Sequence, residues 1–148
     1  MHYELFMGAA LGEARAALDC GERPRGAAAV LGEALVASGH EEVAGRGDPT
    51  AHAVMVTLRE AAQRLGTRSL AGVTVFTIVE PCSMCVGAML EADVDCLVYA
   101  LPDPVSGAAG SVVQLANNPA LSRRVDLISG ILRADAAELQ EAAAPRDG

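Results

Sequence analysis

At 148 residues the chain can bury a core of its own and reads as one domain over residues 1–148. It is 51% hydrophobic, yet no uninterrupted apolar run is long enough to cross a bilayer as a helix. The net charge is −8, lysine is absent, and Arg123-Arg124 is the nearest approach to a basic cluster, which disfavours a grip on a polynucleotide backbone and hence on tRNA.

The N-terminus, Met1-His2-Tyr3-Glu4, has neither the basic start nor the apolar stretch of a secretion signal, so a cytoplasmic location is expected. The cysteines are then metal ligands or buried thiols rather than disulfides. Tyr3 to about Cys20 reads as a first helix, ended near Gly21. Gly26 to Leu31 and Ala34 to Ser38 read as two antiparallel strands joined by a tight turn, although the alanines weaken that reading. A polar loop, Gly39 to Pro49, carries His40, Glu41, Glu42 and Asp48, with His40 expected in solvent. Asp48-Pro49-Thr50 is a helix-entry signal ahead of an apolar-periodic run through Leu65.

Val73 to Val79 is the strongest strand in the chain and feeds into a helix from Pro81 through Leu90. Asp95 to Ala100 is a further strand, followed by a turn-rich loop from Leu101 through Gly110. A short helix is predicted near Ser111 to Leu115, a strand at Val125 to Ile128, and a last helix from about Ala134 to Ala143, with 144–148 a frayed tail. Strands alternating with helices predict an α/β protein with a central sheet covered on both faces.

Two of these helices open on metal-binding side chains. His52 stands at the start of one; Cys82 and Cys85 follow Pro81 at the start of the other. One imidazole and two thiols are the ligands of a tetrahedral Zn2+ that keeps its fourth position for water. The partial positive charge at a helix N-terminus favours thiolate over thiol there. Cys20 and Cys96 have no partner at ligand spacing and are expected to be buried. Met84 and Met89 are simplest as core, and Gly107 to Gly110 as a site of close backbone packing.

With these stretches in order, the chain resembles the cytidine deaminase-like superfamily, and within it the bacterial tRNA adenosine deaminase branch and its guanine deaminase relatives. The matching segments are Gly21 to Gly26, Asp48 to Ala53, Glu80 to Cys85, Gly107 to Ser111 and Arg124 to Leu132. The resemblance implies a three-layer α/β/α sandwich around a mixed five-stranded sheet, Zn2+ on His52, Cys82 and Cys85, and a homodimer whose interface lies beside the active site. It also implies that the Ala53 backbone N–H orients the substrate ring and that Asp103 meets the sugar or a flanking nucleotide.

The departures are as informative as the matches. Val54 stands where the family has the glutamate that moves protons during deamination. Glu41 replaces an asparagine that holds the purine, Arg25 replaces a small apolar residue of the base pocket, and the acidic stretch Ala134 to Glu141 replaces a basic helix that holds tRNA. Losing proton delivery costs about 10²- to 10⁴-fold in rate. Glu41 is therefore the provisional catalytic acid/base, with Glu80 a lesser candidate, unless Arg25 pairs with Glu41 and keeps it ionised for binding. Arg25, Ala53, Val54 and Asp103 are the candidate substrate-binding residues. The expected function is zinc-dependent hydrolytic deamination of a small nucleobase-like or nucleoside-like amino-heterocycle. The alternatives are a catalytically silent zinc-bearing partner subunit, as in the eukaryotic heterodimeric branch where valine also fills the glutamate position, and wobble-adenosine editing of tRNA.

Overall fold

The computed structural model describes residues 1–143; the tail expected at 144–148 lies outside the described residues. In chain order the elements are α1 (Tyr3–Asp19), β1 (Gly26–Leu31), β2 (Ala34–His40), α2 (Val43–Arg46), α3 (Ala53–Leu65), β3 (Val73–Val79), α4 (Ser83–Glu91), β4 (Cys96–Leu101), β5 (Asp126–Ser129) and α5 (Arg133–Ala142). Among the described residues, no helix is long and apolar enough to cross a membrane.

The strands form a five-stranded sheet in the order β2-β1-β3-β4-β5. β1 pairs antiparallel with β2 and β3, whereas β3, β4 and β5 run parallel, so the sheet is mixed as expected. Side chains of a strand alternate between faces, and β3 shows the division clearly. Val73 and Val75 join Leu58, Val86 and Met89 under α3 and α4. Phe76 and Ile78 join Phe6 and Met7 under α1 on the other face, where α5 also packs. Phe6 and Phe76 meet ring to ring at 5.7 Å.

The alanines of β1 are strand because of what they lie against. Ala27, Ala28 and Ala29 are fully buried between sheet neighbours on both sides. On the α1 face, Ala28 and the neighbouring Gly26 are small enough for α1 to approach the sheet until backbone meets backbone. A Cβ at Gly26 would lie 2.1 Å from the Ala10 carbonyl oxygen and 2.5 Å from the Ala14 nitrogen. Tertiary packing here overrides a weak local propensity.

Four expectations are corrected. β2 continues through His40, which is half-buried, with Nδ1 2.8 Å from the Glu41 carbonyl oxygen, because the hairpin stays paired to Gly26. The polar loop after it holds a helical turn, α2, whose Ala44 and Gly45 N–H groups donate to the buried Glu22 carboxylate at 2.9 and 2.7 Å. No helix forms at Ser111 to Leu115; Ala109 instead bridges to Gln114. Cys20 is exposed, because it caps α1 just before the left-handed Gly21 rather than facing the core, and Cys96 is half-buried.

Candidate active site

His52 and Cys82 are the N-cap residues of α3 and α4. Such positions are usually filled by side chains whose oxygen bonds the first free N–H groups of the helix. Neither His52 nor Cys82 makes a side-chain cap bond; both turn toward a common point instead. His52 Nδ1 lies 3.5 Å from Cys82 Sγ and 3.5 Å from Cys85 Sγ. A tetrahedral zinc with bonds of about 2.1 Å to nitrogen and about 2.3 Å to sulfur needs nitrogen–sulfur edges of about 3.6 Å. The donor set and its spacing fit Zn2+.

The two sulfurs are electrostatically unlike. Cys82 is drawn down to about 5, chiefly by its hydrogen bond with the Cys85 thiol, with burial opposing and the Cys85 N–H and His52 assisting. Cys85 is pushed up by that same bond, by burial and by the negative charge on Cys82. Glu41 also contributes to the rise at Cys85, which places its charge within reach of the metal ligands.

The ligands open into a cleft of about 490 Å³, counting its mouth, that also exposes Arg23, Arg25, Glu41, Ala53, Val54 and Asp103. Every residue singled out from sequence for the site thus meets in one place. Val54, the second residue of α3, is 5% exposed and presents only methyl groups to the space beside the ligands.

Glu41 is 2% exposed, and its partner is not the one expected. Arg23, not Arg25, grips it, with Nε donating to Oε2 at 2.6 Å and Nη2 to Oε1 at 2.7 Å. The bond to Glu41 raises the pKa of Arg23. A tight turn explains the exchange. The Arg25 N–H donates to the Arg23 carbonyl at 2.7 Å, folding Arg23 back over the end of the hairpin. Arg25 is sent the other way, where its Nη1 donates to Gln140 Oε1 on α5. Arg23 has no local sequence signal; the register Gly26↔His40 is what brings the ends of β1 and β2 together.

Glu80 also borders the cleft but is fully occupied. Its carboxylate accepts from the N–H groups of Asp103 at 3.0 Å, Ala109 at 2.9 Å and Ser111 at 3.1 Å, and from the Ser111 hydroxyl. Burial pushes its pKa up, but the Ser111 and backbone bonds together hold it below the ordinary value. The segment 111–115 is not helical because its N–H groups go elsewhere: Leu115 donates to the Ala108 carbonyl at 2.9 Å and Val112 to the Gly107 carbonyl at 2.9 Å. Asp103 is committed in a similar way, accepting from Val105 N at 2.9 Å and from the Ser106 hydroxyl at 2.9 Å within its own turn.

The Glu80 hub depends on Gly107, as the expected close packing implied. A Cβ there would stand 2.4 Å from Glu80 Cδ and 2.5 Å from the Asp103 carbonyl oxygen. Gly107→Ala is expected to cost about 1–3 kcal/mol of stability, read as a lower urea midpoint. An unchanged midpoint would show that the loop gives way freely.

Comparison with known proteins places this geometry. The family model for the cytidine and deoxycytidylate deaminase zinc-binding region matches residues 1–101. The tRNA-specific adenosine deaminase of Bacillus subtilis is 34% identical over 129 residues, 87% of this chain and 80% of that protein. A structure solved in studies of A-to-I editing by tRNA:A34 deaminases superposes with a TM-score of 0.87 at 35% identity, over 90% of this chain and 97% of that one. The guanine deaminase of Nitrosomonas europaea superposes with a TM-score of 0.77 at 26% identity, over 95% of this chain and 83% of that one.

Proposed function

We propose, from the premise that this chain belongs to the cytidine and deoxycytidylate deaminase zinc-binding family, that it is a zinc-dependent aminohydrolase of a small nucleobase-like or nucleoside-like amino-heterocycle. The observation that carries this reading is Glu41. Of the cleft carboxylates Glu41, Glu80 and Asp103, it alone is bonded to a side chain and to no backbone N–H among the described residues. A carboxylate has lone pairs beyond the pair engaged by Arg23, so Glu41 can still accept from a ligand.

Zn2+ held by His52, Cys82 and Cys85 would supply a Lewis acid able to make water a nucleophile near neutral pH. The residues supply the rest. The Ala53 N–H at the start of α3 orients the ring, and Glu41 carries the proton that the side chain at position 54 cannot. Arg23 fixes the position of the Glu41 carboxylate through its two hydrogen bonds. Water and the amino-heterocycle give the oxo-heterocycle and ammonia. A homodimer and a cytoplasmic location suit this reading, since thiolate ligands persist in a reducing compartment.

The test is ammonia release by the zinc-loaded protein from guanine, adenine, cytosine, their nucleosides and aminotriazines. With a substrate in hand, Glu41→Gln is expected to slow turnover about 10²-fold. Full activity of Glu41→Gln would rule out the relocated acid/base. Silence across the panel, with co-purification of an active homologue, would favour a silent partner subunit, which Val54 by itself suggests.

Identity to tRNA deaminases supports a second reading, deamination of a tRNA adenosine. Against it stand the acidic α5 and the net charge of −8. Inosine formed in an anticodon stem-loop would establish that reading; none is expected.

A further inference from the structure

Arg25 is the arginine of the cleft that lacks an acidic partner. Its Nη1 is taken by the neutral amide of Gln140, while Nε and Nη2 make no bond to the described residues. The nearby carboxylates are already engaged: Glu41 by Arg23, and Asp103 by the turn at Val105 and Ser106. Neither comes within ion-pair distance of Arg25.

The arginine is also held in place. Gln140 accepts from Arg25 and donates its own amide to the Pro24 carbonyl at 2.9 Å, so α5 clamps the segment on both sides of the Cα. Gly26, the next residue, presses against the α1 backbone and cannot slide. Burial lowers the pKa of Arg25, with Arg23 adding like-charge repulsion and Asp103 opposing. A preorganised guanidinium with free donors at the wall of a ring-binding cleft matches the geometry of a carboxylate or phosphate. The chain as a whole carries a net charge of −8, which disfavours a long polyanion and leaves a small anion as the fitting partner.

We propose that Arg25 receives an anionic substituent, so that the ligand of this cleft is a negatively charged amino-heterocycle rather than a free base. This rests on the cleft being the ring site described above. It does not require turnover.

The experiment is calorimetric titration of the zinc-loaded full chain with matched pairs: cytidine and cytidine 5′-monophosphate, guanosine and its 5′-monophosphate, cytosine and cytosine-5-carboxylate. The anionic member of at least one pair is expected to bind about tenfold or more tightly than its neutral partner. A gain confined to the nucleotide pairs identifies a phosphate, and one confined to the ring carboxylate identifies a carboxylate. Arg25→Leu should erase that difference and Arg25→Lys should keep part of it. The latter is the safeguard should the leucine variant fold poorly. Equal affinities within every pair, an equal loss for both members in Arg25→Leu, or no binding of any anionic member at millimolar concentration would each overturn the proposal. Absence of ammonia, by contrast, would sink only the catalytic reading.

Discussion

Replacing Val54 with glutamate is expected to speed ammonia release about 10²-fold or more. The side chain at this position points into the metal cleft from the first turn of α3, two residues after the ligand His52. Valine there excludes water but moves no proton. A glutamate would sit in nearly the same seclusion, where burial raises carboxylate pKa toward the range that suits proton exchange near neutrality. It would also be free of the guanidinium that fixes Glu41. The measurement is the initial rate for Val54→Glu against the unaltered chain on a common substrate, with Val54→Gln as the shape control. If the glutamate variant is no faster than the glutamine one, proton transfer is not what limits the reaction, and the cleft is a binding site or is limited by another step.

Loss of the metal should be equally decisive. Cys85→Ala is expected to drop zinc content from about one ion per chain to a small fraction of that, and to abolish turnover, because the two ligands left hold the ion far more weakly than three. In the unaltered chain, chelation should leave Cys82 as the reactive sulfur. Its folded-state pKa is drawn down to about 5, first by the bond to the Cys85 thiol. The thiolate is the nucleophile, so alkylation of Cys82 should rise through a midpoint near pH 5, fall away below it, and vanish on reloading zinc. Cys85, held protonated, should stay unmodified. A midpoint in the ordinary thiol range of about 8.5 would mean that the two sulfurs do not share a proton as their geometry requires.

Much of this was readable in the sequence because the signals are local. The run Val73 to Val79 is strand on composition alone, and the placement of His52 and of Cys82 and Cys85 at helix starts is a matter of spacing. The metal group followed from the same few residues. The structure adds what depends on distant partners. Arg23 and Glu41 lie on either side of a hairpin, and only its register and the turn at Arg25 show that they meet. The absent helix at 111–115 has the same origin: Glu80, thirty-one positions before Ser111, anchors the Ser111 N–H and hydroxyl, and Leu115 donates back to the Ala108 carbonyl rather than to Ser111. Cys20 was expected in the core because it has no partner at ligand spacing, whereas it caps α1 one residue past the helix end, between Asp19 and Gly21, and is exposed.

The direct contact of α1 with β1 has a consequence for how this chain could change what it recognises. Arg23 and Arg25 ride on the short connection between those two elements. Ala10 and Ala14 set the gap at one end of it with main-chain atoms rather than with compressible side chains. One methylene added at either alanine would lever the rim of the cleft outward, moving both guanidinium groups together. Selectivity can therefore drift through substitutions on the far side of the sheet, at positions no ligand ever touches.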